Sequence, residues 1–229
     1  MPTELPGAKT FLTQFATSDL SGYASRAIGF TRTYHGDHLC LLASHLPVTS
    51  YTASKFFADY TWIVLCSGFN PRIIQAKFGS IGKILNGFNP HSVTKATVTR
   101  GTKILNHKAK WEALAYTAWL LKTKTWDQFQ ETYLGSIEAL EKLPRIGGIT
   151  KYRLALCTGL DVVGPSEHLS LVENHFGITG PQLLCKSIQI SVPQASNLYL
   201  CQIEFCLWTY LSHLGKVQPC CVVSTLGGI

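Results

Sequence analysis

The sequence predicts an all-α fold on three observations. Apolar residues recur at helical spacing in several long segments, no stretch alternates in the manner of a half-buried strand, and clusters such as Ser67–Pro71 and Gly87–Pro90 punctuate the periodic segments. The composition agrees, since 229 residues with 46% hydrophobic and 14% charged residues can build a large core.

Residues 1–50 mix Gly, Ser, Thr and Pro with short apolar groups and show no sustained period. They read as an N-terminal extension packed on the body, with a short helix around Thr10–Ala16. The body is expected over 51–229. Its first helix carries Phe56, Phe57, Tyr60, Ile63 and Val64 and stops at Ser67-Gly68-Phe69-Asn70-Pro71. Two short helices, Ile73–Phe78 and Ile81–Leu85, come next. A longer one over Lys108–Lys122 has a stripe of Trp111, Leu114, Ala115, Ala118 and Trp119. Another is expected from Thr125 to Lys142, with Trp126, Phe129, Tyr133, Ile137 and Leu140 facing inward. After a tight turn, Lys151–Leu160 continues as helix, followed by Glu167–Phe176, Pro181–Ser187 and Leu198–Leu214.

Lys and Arg outnumber Asp and Glu by 20 to 13, and the net charge of +7 favours a polyanionic partner. No run of about 18 apolar residues is present, so no membrane partner is expected. The N-terminus has neither a basic start nor an apolar signal core, which predicts a cytoplasmic protein. In that reducing compartment the eight cysteines read as thiols. No metal and no cofactor are expected. His35-Gly36-Asp37-His38 reads as a polar loop rather than a ligand set.

The segment 143–155 carries the functional argument. Gly147 and Gly148 supply a permissive turn that lets backbone amides approach a phosphate, and the following helix start adds a favourable dipole. Thr150 can cap the helix or contact phosphate; Arg145, Lys151 and Arg153 place cations beside it. Two helices joined by a turn at 145–148 are expected.

The run Leu143-Pro144-Arg145-Ile146-Gly147, then Thr150-Lys151-Tyr152-Arg153-Leu154-Ala155, then Gly159 through Leu169, resembles the signature of the helix-hairpin-helix DNA-glycosylase superfamily, the endonuclease III-like fold. The match covers roughly 30 residues strongly and extends weakly over 52–214, where Val64–Asn70 resembles a pocket segment and Lys108-Ala109-Lys110 a basic helix start. The resemblance implies a bilobal fold, hairpin contacts to phosphates, and a nucleotide flipped into a cleft between helical lobes. Ser67, Asn70 and Tyr152 would line the base pocket. The Thr150–Ala155 and Gly159–Val163 run resembles divergent phage-borne members that hypermodify thymine more than housekeeping repair enzymes, and Ile203–Tyr210 resembles a late segment of those.

The departures bear on chemistry. Ser166 stands where the family has a catalytic Asp, with His168 retained; Leu171 replaces a common Arg, and Ile149 falls at the Schiff-base Lys of bifunctional members. A neutral Ser cannot stabilise positive charge developing on a sugar. Lys151 lies about 200° around the helix from that Lys position. Glu167 is the nearest alternative carboxylate, and Asp161 reads as a structural helix stop before Pro165. Some endonuclease III-like members carry a four-cysteine iron–sulfur loop, but Cys201, Cys206, Cys220 and Cys221 do not match its gaps. The expectation is therefore an enzyme acting on a flipped base. Its chemistry would be excision, or transfer of a small amine or amino acid onto a 5-substituted uracil, with Ser166, Glu167 and His168 as the catalytic set. The alternative is a non-catalytic double-stranded-DNA-binding protein that kept the fold.

Overall fold

A computed structural model describes residues 6–44 and 51–214; the expected Cys220 and Cys221 lie outside them. The described residues are all-helical, with no strand. The helices are α1 (Pro6–Leu12), α2 (Leu20–Ser44), α3 (Ala53–Cys66), α4 (Pro71–Ile84), α5 (Lys95–Ile104), α6 (Lys108–Thr123), α7 (Trp126–Tyr133), α8 (Ile137–Leu140), α9 (Thr150–Cys157), α10 (Glu167–Phe176), α11 (Pro181–Ser191) and α12 (Leu200–Leu214). Two short 3-10 turns, Pro90–Ser92 and Pro193–Ala195, complete the set.

The chain divides into two compact units. A central unit spans Pro47–Leu160, and a terminal unit joins Met1–Leu46 to Asp161–Ile229. The first helices share a core with the last three.

In the terminal unit, α2 packs along α12, with α1, α10 and α11 completing the cluster. Tyr23, Ala24, Ala27, Ile28 and Thr31 recur at helical spacing and are buried at the core end of α2. Small and hydroxyl-bearing residues carry this stripe, which is why residues 1–50 read as aperiodic. Edge-to-face pairs link Phe11 to Phe15 and Tyr210, and Phe15 to Tyr23, at 5.1 to 5.5 Å, and a tilted Tyr23–Tyr210 pair at 5.7 Å closes the group. His35, Gly36, Asp37 and His38 lie inside α2, around a kink at His35 (φ −140°, ψ 28°), and not in a loop.

The start of α12 is held from a distance in sequence. The Asp161 carboxylate accepts from the amides of Leu200 at 2.9 Å and Cys201 at 3.1 Å, two of the four donors a helix leaves open at its N-terminus. Asp161 therefore caps a helix 39 residues away and does not stop its own.

In the central unit, side-chain caps set the helix starts. Thr52 opens α3, Asn70 opens α4 with Pro71 following, and Thr94 and Thr125 open α5 and α7 in capping boxes. The two short helices expected between 73 and 85 are one, because Gly79 and Gly82 are accommodated within α4; Gly82 lies beneath the Phe88 ring. The single helix expected over 125–142 is two. Gly135 and Ser136 break it, and Ser136 Oγ accepts from the Ala139 amide at 3.2 Å to restart α8. The core gathers Phe56, Tyr60, Leu65, Ile81, Trp111, Leu114, Phe129 and Leu154. Gly101 lets α5 approach α6 closely, since a methyl there would overlap the Trp111 ring.

Candidate nucleic-acid interface

The hairpin lies in the central unit. Its first helix, α8, ends at Leu140, so 143–155 contains a turn and the start of α9 rather than two helices. Leu143 and Ile146 are buried on one side of the turn, Leu154 and Ala155 on α9. Tyr60 Oη on α3 donates to the Pro144 carbonyl at 2.6 Å and ties the turn to the unit's core.

The turn's backbone is unusual at two positions. Gly148 has φ 48°, and Arg145, which is not a glycine, has φ 62°. A side chain in this left-handed region costs on the order of 1 kcal/mol, so Arg145 is held there against its preference. Thr150 closes the turn on itself: its Oγ1 accepts from the Gly147 amide at 2.9 Å and donates to the Gly147 carbonyl at 2.7 Å. Thr150 is thus committed to the turn. The amides of Gly148 and Ile149 find no partner among the described residues. Ile149 occupies the N-cap of α9, where it has no side-chain oxygen to offer, and is 55% exposed.

The cations divide into two kinds. Lys151 Nζ donates to Glu141 Oε1 at 2.7 Å. That hydrogen bond raises the Lys151 pKa, with burial opposing it and the Glu141 charge adding to it. Lys151 therefore clips α9 to the end of α8 instead of standing open. Lys142, Arg145 and Arg153 are exposed and make no ion pair among the described residues.

Next to the turn, Lys110 is buried and donates to the carbonyls of Val64 at 2.6 Å, Leu65 at 3.0 Å and Ser67. A cation on the last carbonyls of α3 satisfies groups that have no helical partner. Its ammonium also lies 4.8 Å from the Phe69 ring. Burial draws its pKa below the usual lysine value; Cys66 opposes this and Arg145 adds to it, which places Arg145 close enough for the two charges to interact. The sequence offered Lys110 only as part of a basic helix start. Its role depends on α3 ending against α6, and no local pattern encodes that.

Of the expected pocket residues, Ser67 contributes its carbonyl to Lys110, and Asn70 accepts from the Arg72 amide at 2.9 Å as the cap of α4. Tyr152 is half-buried, its ring 5.3 Å from Lys151 Nζ. All three share the central unit with the hairpin. Ser166, Glu167 and His168 belong to the terminal unit.

Ser166 is the N-cap of α10, its Oγ accepting from the Leu169 amide at 3.2 Å, and Glu167 is exposed in the first turn. His168 is half-buried against Trp208, and its Nε2 has no hydrogen-bond partner among the described residues. Burial lowers its pKa, with Glu167 opposing. The Cys201 and Cys206 thiols are each pushed up to about 12, chiefly by burial, so both stay protonated and are poor ligands as they stand.

The two units also differ in charge. Residues 47–160 hold 15 Lys and Arg against 6 Asp and Glu, a net +9; the remainder holds 5 against 7, a net −2, and together these give the +7 of the whole chain. Fold and site thus define a class: an all-helical protein whose strongly basic central unit presents a tight, open-ended helical hairpin. Set against known protein families, curated proteins and solved structures, the chain matches none.

Proposed function

We propose that this protein binds duplex DNA through the phosphate backbone, using the hairpin between α8 and α9. One observation carries the reading: the Gly148 and Ile149 amides are open at an uncapped helix start, beside the unpaired cations Lys142, Arg145 and Arg153. Open amides and cations around a helix N-terminus suit a phosphate, and they read no sequence. The net +9 of the central unit supplies attraction at longer range. The resemblance to the helix-hairpin-helix glycosylases supports the same partner.

The test is equilibrium binding to a short duplex between roughly 50 and 200 mM salt. Replacing Lys142 and Arg153 by Gln and Arg145 by Asn should lower the slope of log affinity against log salt by about 2 to 3, at about 0.9 per phosphate contact. An unchanged slope overturns the hairpin assignment.

A second reading adds chemistry on a flipped base, by hydrolytic excision or by transfer of a small amine onto an activated 5-hydroxymethyluracil, where the amine nitrogen bonds to the 5-methylene carbon as the C–O bond to the activating group breaks. The observation favouring it is the buried Nε2 of His168, which lacks a partner in a segment resembling a catalytic loop. Such an orphan calls for an explanation, and a substrate group is one. Ser166→Asp is an informative variant because Asp also caps helices, so the local structure should persist. Mass spectrometry of nucleosides and free bases, after incubation with normal, hydroxymethyluracil-containing and phosphorylated-hydroxymethyluracil-containing DNA in the presence of a small amine or amino acid, separates the chemistries. Base release that rises in Ser166→Asp supports excision; a base adduct that survives or falls supports transfer; neither product leaves binding alone.

A further inference from the structure

From Tyr60 to Trp111 the chain contains eight Lys and Arg and no Asp or Glu. Two of the eight turn inward: Lys110 onto the end of α3, and Lys77, whose Nζ donates to the Ile104 carbonyl at 2.8 Å and joins α4 to the end of α5. Lys108 pairs with Glu112 at 3.6 Å. The other five, Arg72, Lys83, Lys95, Arg100 and Lys103, are exposed and make no ion pair among the described residues. All five lie on α4 and α5, which pack against each other.

Fold stability does not account for this arrangement. Like charges with no intervening acid repel, and Arg72 and Lys95 stand in the first turns of their helices, where the macrodipole disfavours a cation. The geometry also bears on the kind of anion. Arg72 and Lys83, eleven residues apart, fall within about 20° of each other around α4, while Lys95, Thr99 and Lys103 follow at four-residue intervals along the outer face of α5. Cations at the two ends of that row are about 12 Å apart along the axis and cannot converge on one phosphate. A linear polyanion running along the row can meet both ends. Neither helix exposes a Phe, Tyr or Trp, so the surface lacks the stacking platform that single strands use.

We infer that the outer faces of α4 and α5 form a second duplex-DNA surface, separate from the hairpin, which grips the phosphate backbone through Arg72, Lys83, Lys95, Arg100 and Lys103. The inference rests on the reading of this protein as a duplex-DNA binder and adds a second contact patch to it.

The experiment compares the full chain with two variant sets, one replacing Lys95, Arg100 and Lys103 by Gln, the other altering the hairpin as above. Each is titrated with duplex DNA at several salt concentrations, and thermal melts confirm that the folds are intact. The α5 set should lower the salt slope by about 2 to 3, and the two sets together should lower it by the sum. A slope unchanged by the α5 set but lowered by the hairpin set overturns this inference and leaves the hairpin reading standing. The converse supports the α4–α5 surface and removes the hairpin. No duplex binding by the parent chain overturns both. An α5-dependent preference for single-stranded RNA, or for phosphatidylserine vesicles, overturns the choice of duplex DNA.

Discussion

The central and terminal units are built from similar numbers of residues but spend their polar groups differently. The central unit carries net +9 and directs three of its lysines onto backbone carbonyls, Lys77, Lys110 and Lys122, while leaving many of the others open to solvent. The terminal unit carries net −2 and organises itself around an aromatic chain and one carboxylate, Asp161, that caps a distant helix. One unit carries a large net charge and the other is nearly balanced. The contrast argues that attraction for a polyanion is concentrated in one half of the molecule, and that the terminal half contributes a core and, through His168, a candidate for chemistry.

The largest expected effect that tests this contrast is on the central core. Gly101→Ala drives a methyl into the Trp111 ring and should destabilise the protein by about 2 to 3 kcal/mol, the usual cost of overpacking. Hydrogen exchange should show the loss in α5 and α6, with protection in α12 retained; equal loss in both units would mean that they unfold as one. Next in size, Asp161→Ala removes the cap of α12 and should cost about 1 to 2 kcal/mol, with increased exchange at the Leu200 and Cys201 amides.

The terminal unit should also be the acid-sensitive one. The pKa of His168 is lowered, first by burial, and that of His35 by burial and then by His38 and His213. Below about pH 6.5 the unfolded chain binds protons that the folded chain resists, so stability should fall as pH drops from 6.5 towards the folded pKa values. His168→Phe should flatten that dependence in melts run from pH 7 to 5; an unchanged profile would remove His168 as a contributor.

The smallest stability effects belong to the hairpin, where function and fold can be separated. Arg145→Asn places a residue that tolerates the left-handed region at φ 62° and should keep stability within about 0.5 kcal/mol while weakening DNA binding. Glu141→Gln should do the reverse of most substitutions here. It frees Lys151 from its 2.7 Å pair, so affinity for duplex DNA and the salt slope should both rise slightly, by up to about one phosphate contact. A fall in affinity would show that the Lys151–Glu141 clip is needed to shape the turn.

Much of the fold was legible wherever large apolar residues carried the period. The helices around Phe56, Trp111, Glu167 and Leu200 stand close to their expected bounds because bulky side chains at helical spacing bury one face, although Trp119, expected in the α6 stripe, lies outside that face and is 52% exposed. The α2 helix was not legible, since its buried stripe uses mostly Ala, Thr and Tyr, whose small or hydroxyl-bearing side chains give little hydrophobic contrast with the exposed face. The hairpin turn was visible through Gly147 and Gly148, but its exact use of residues was not. Thr150, expected to cap the helix or contact phosphate, is held by Gly147, and Lys151, expected beside a phosphate, is held by Glu141.

The amino-acid order alone set the helical class, the turn at 145–148 and the excess of positive charge, because periodicity, glycine freedom and formal charge are local properties that survive any arrangement of the helices. Folding decided which of those charges remain open. Whether Lys110 ends on three carbonyls, Lys151 on Glu141, or Lys95 and Lys103 in solvent depends on which helix ends meet. Those meetings are made by burying apolar surface far from the charges themselves, and so they are written in no single segment of the chain.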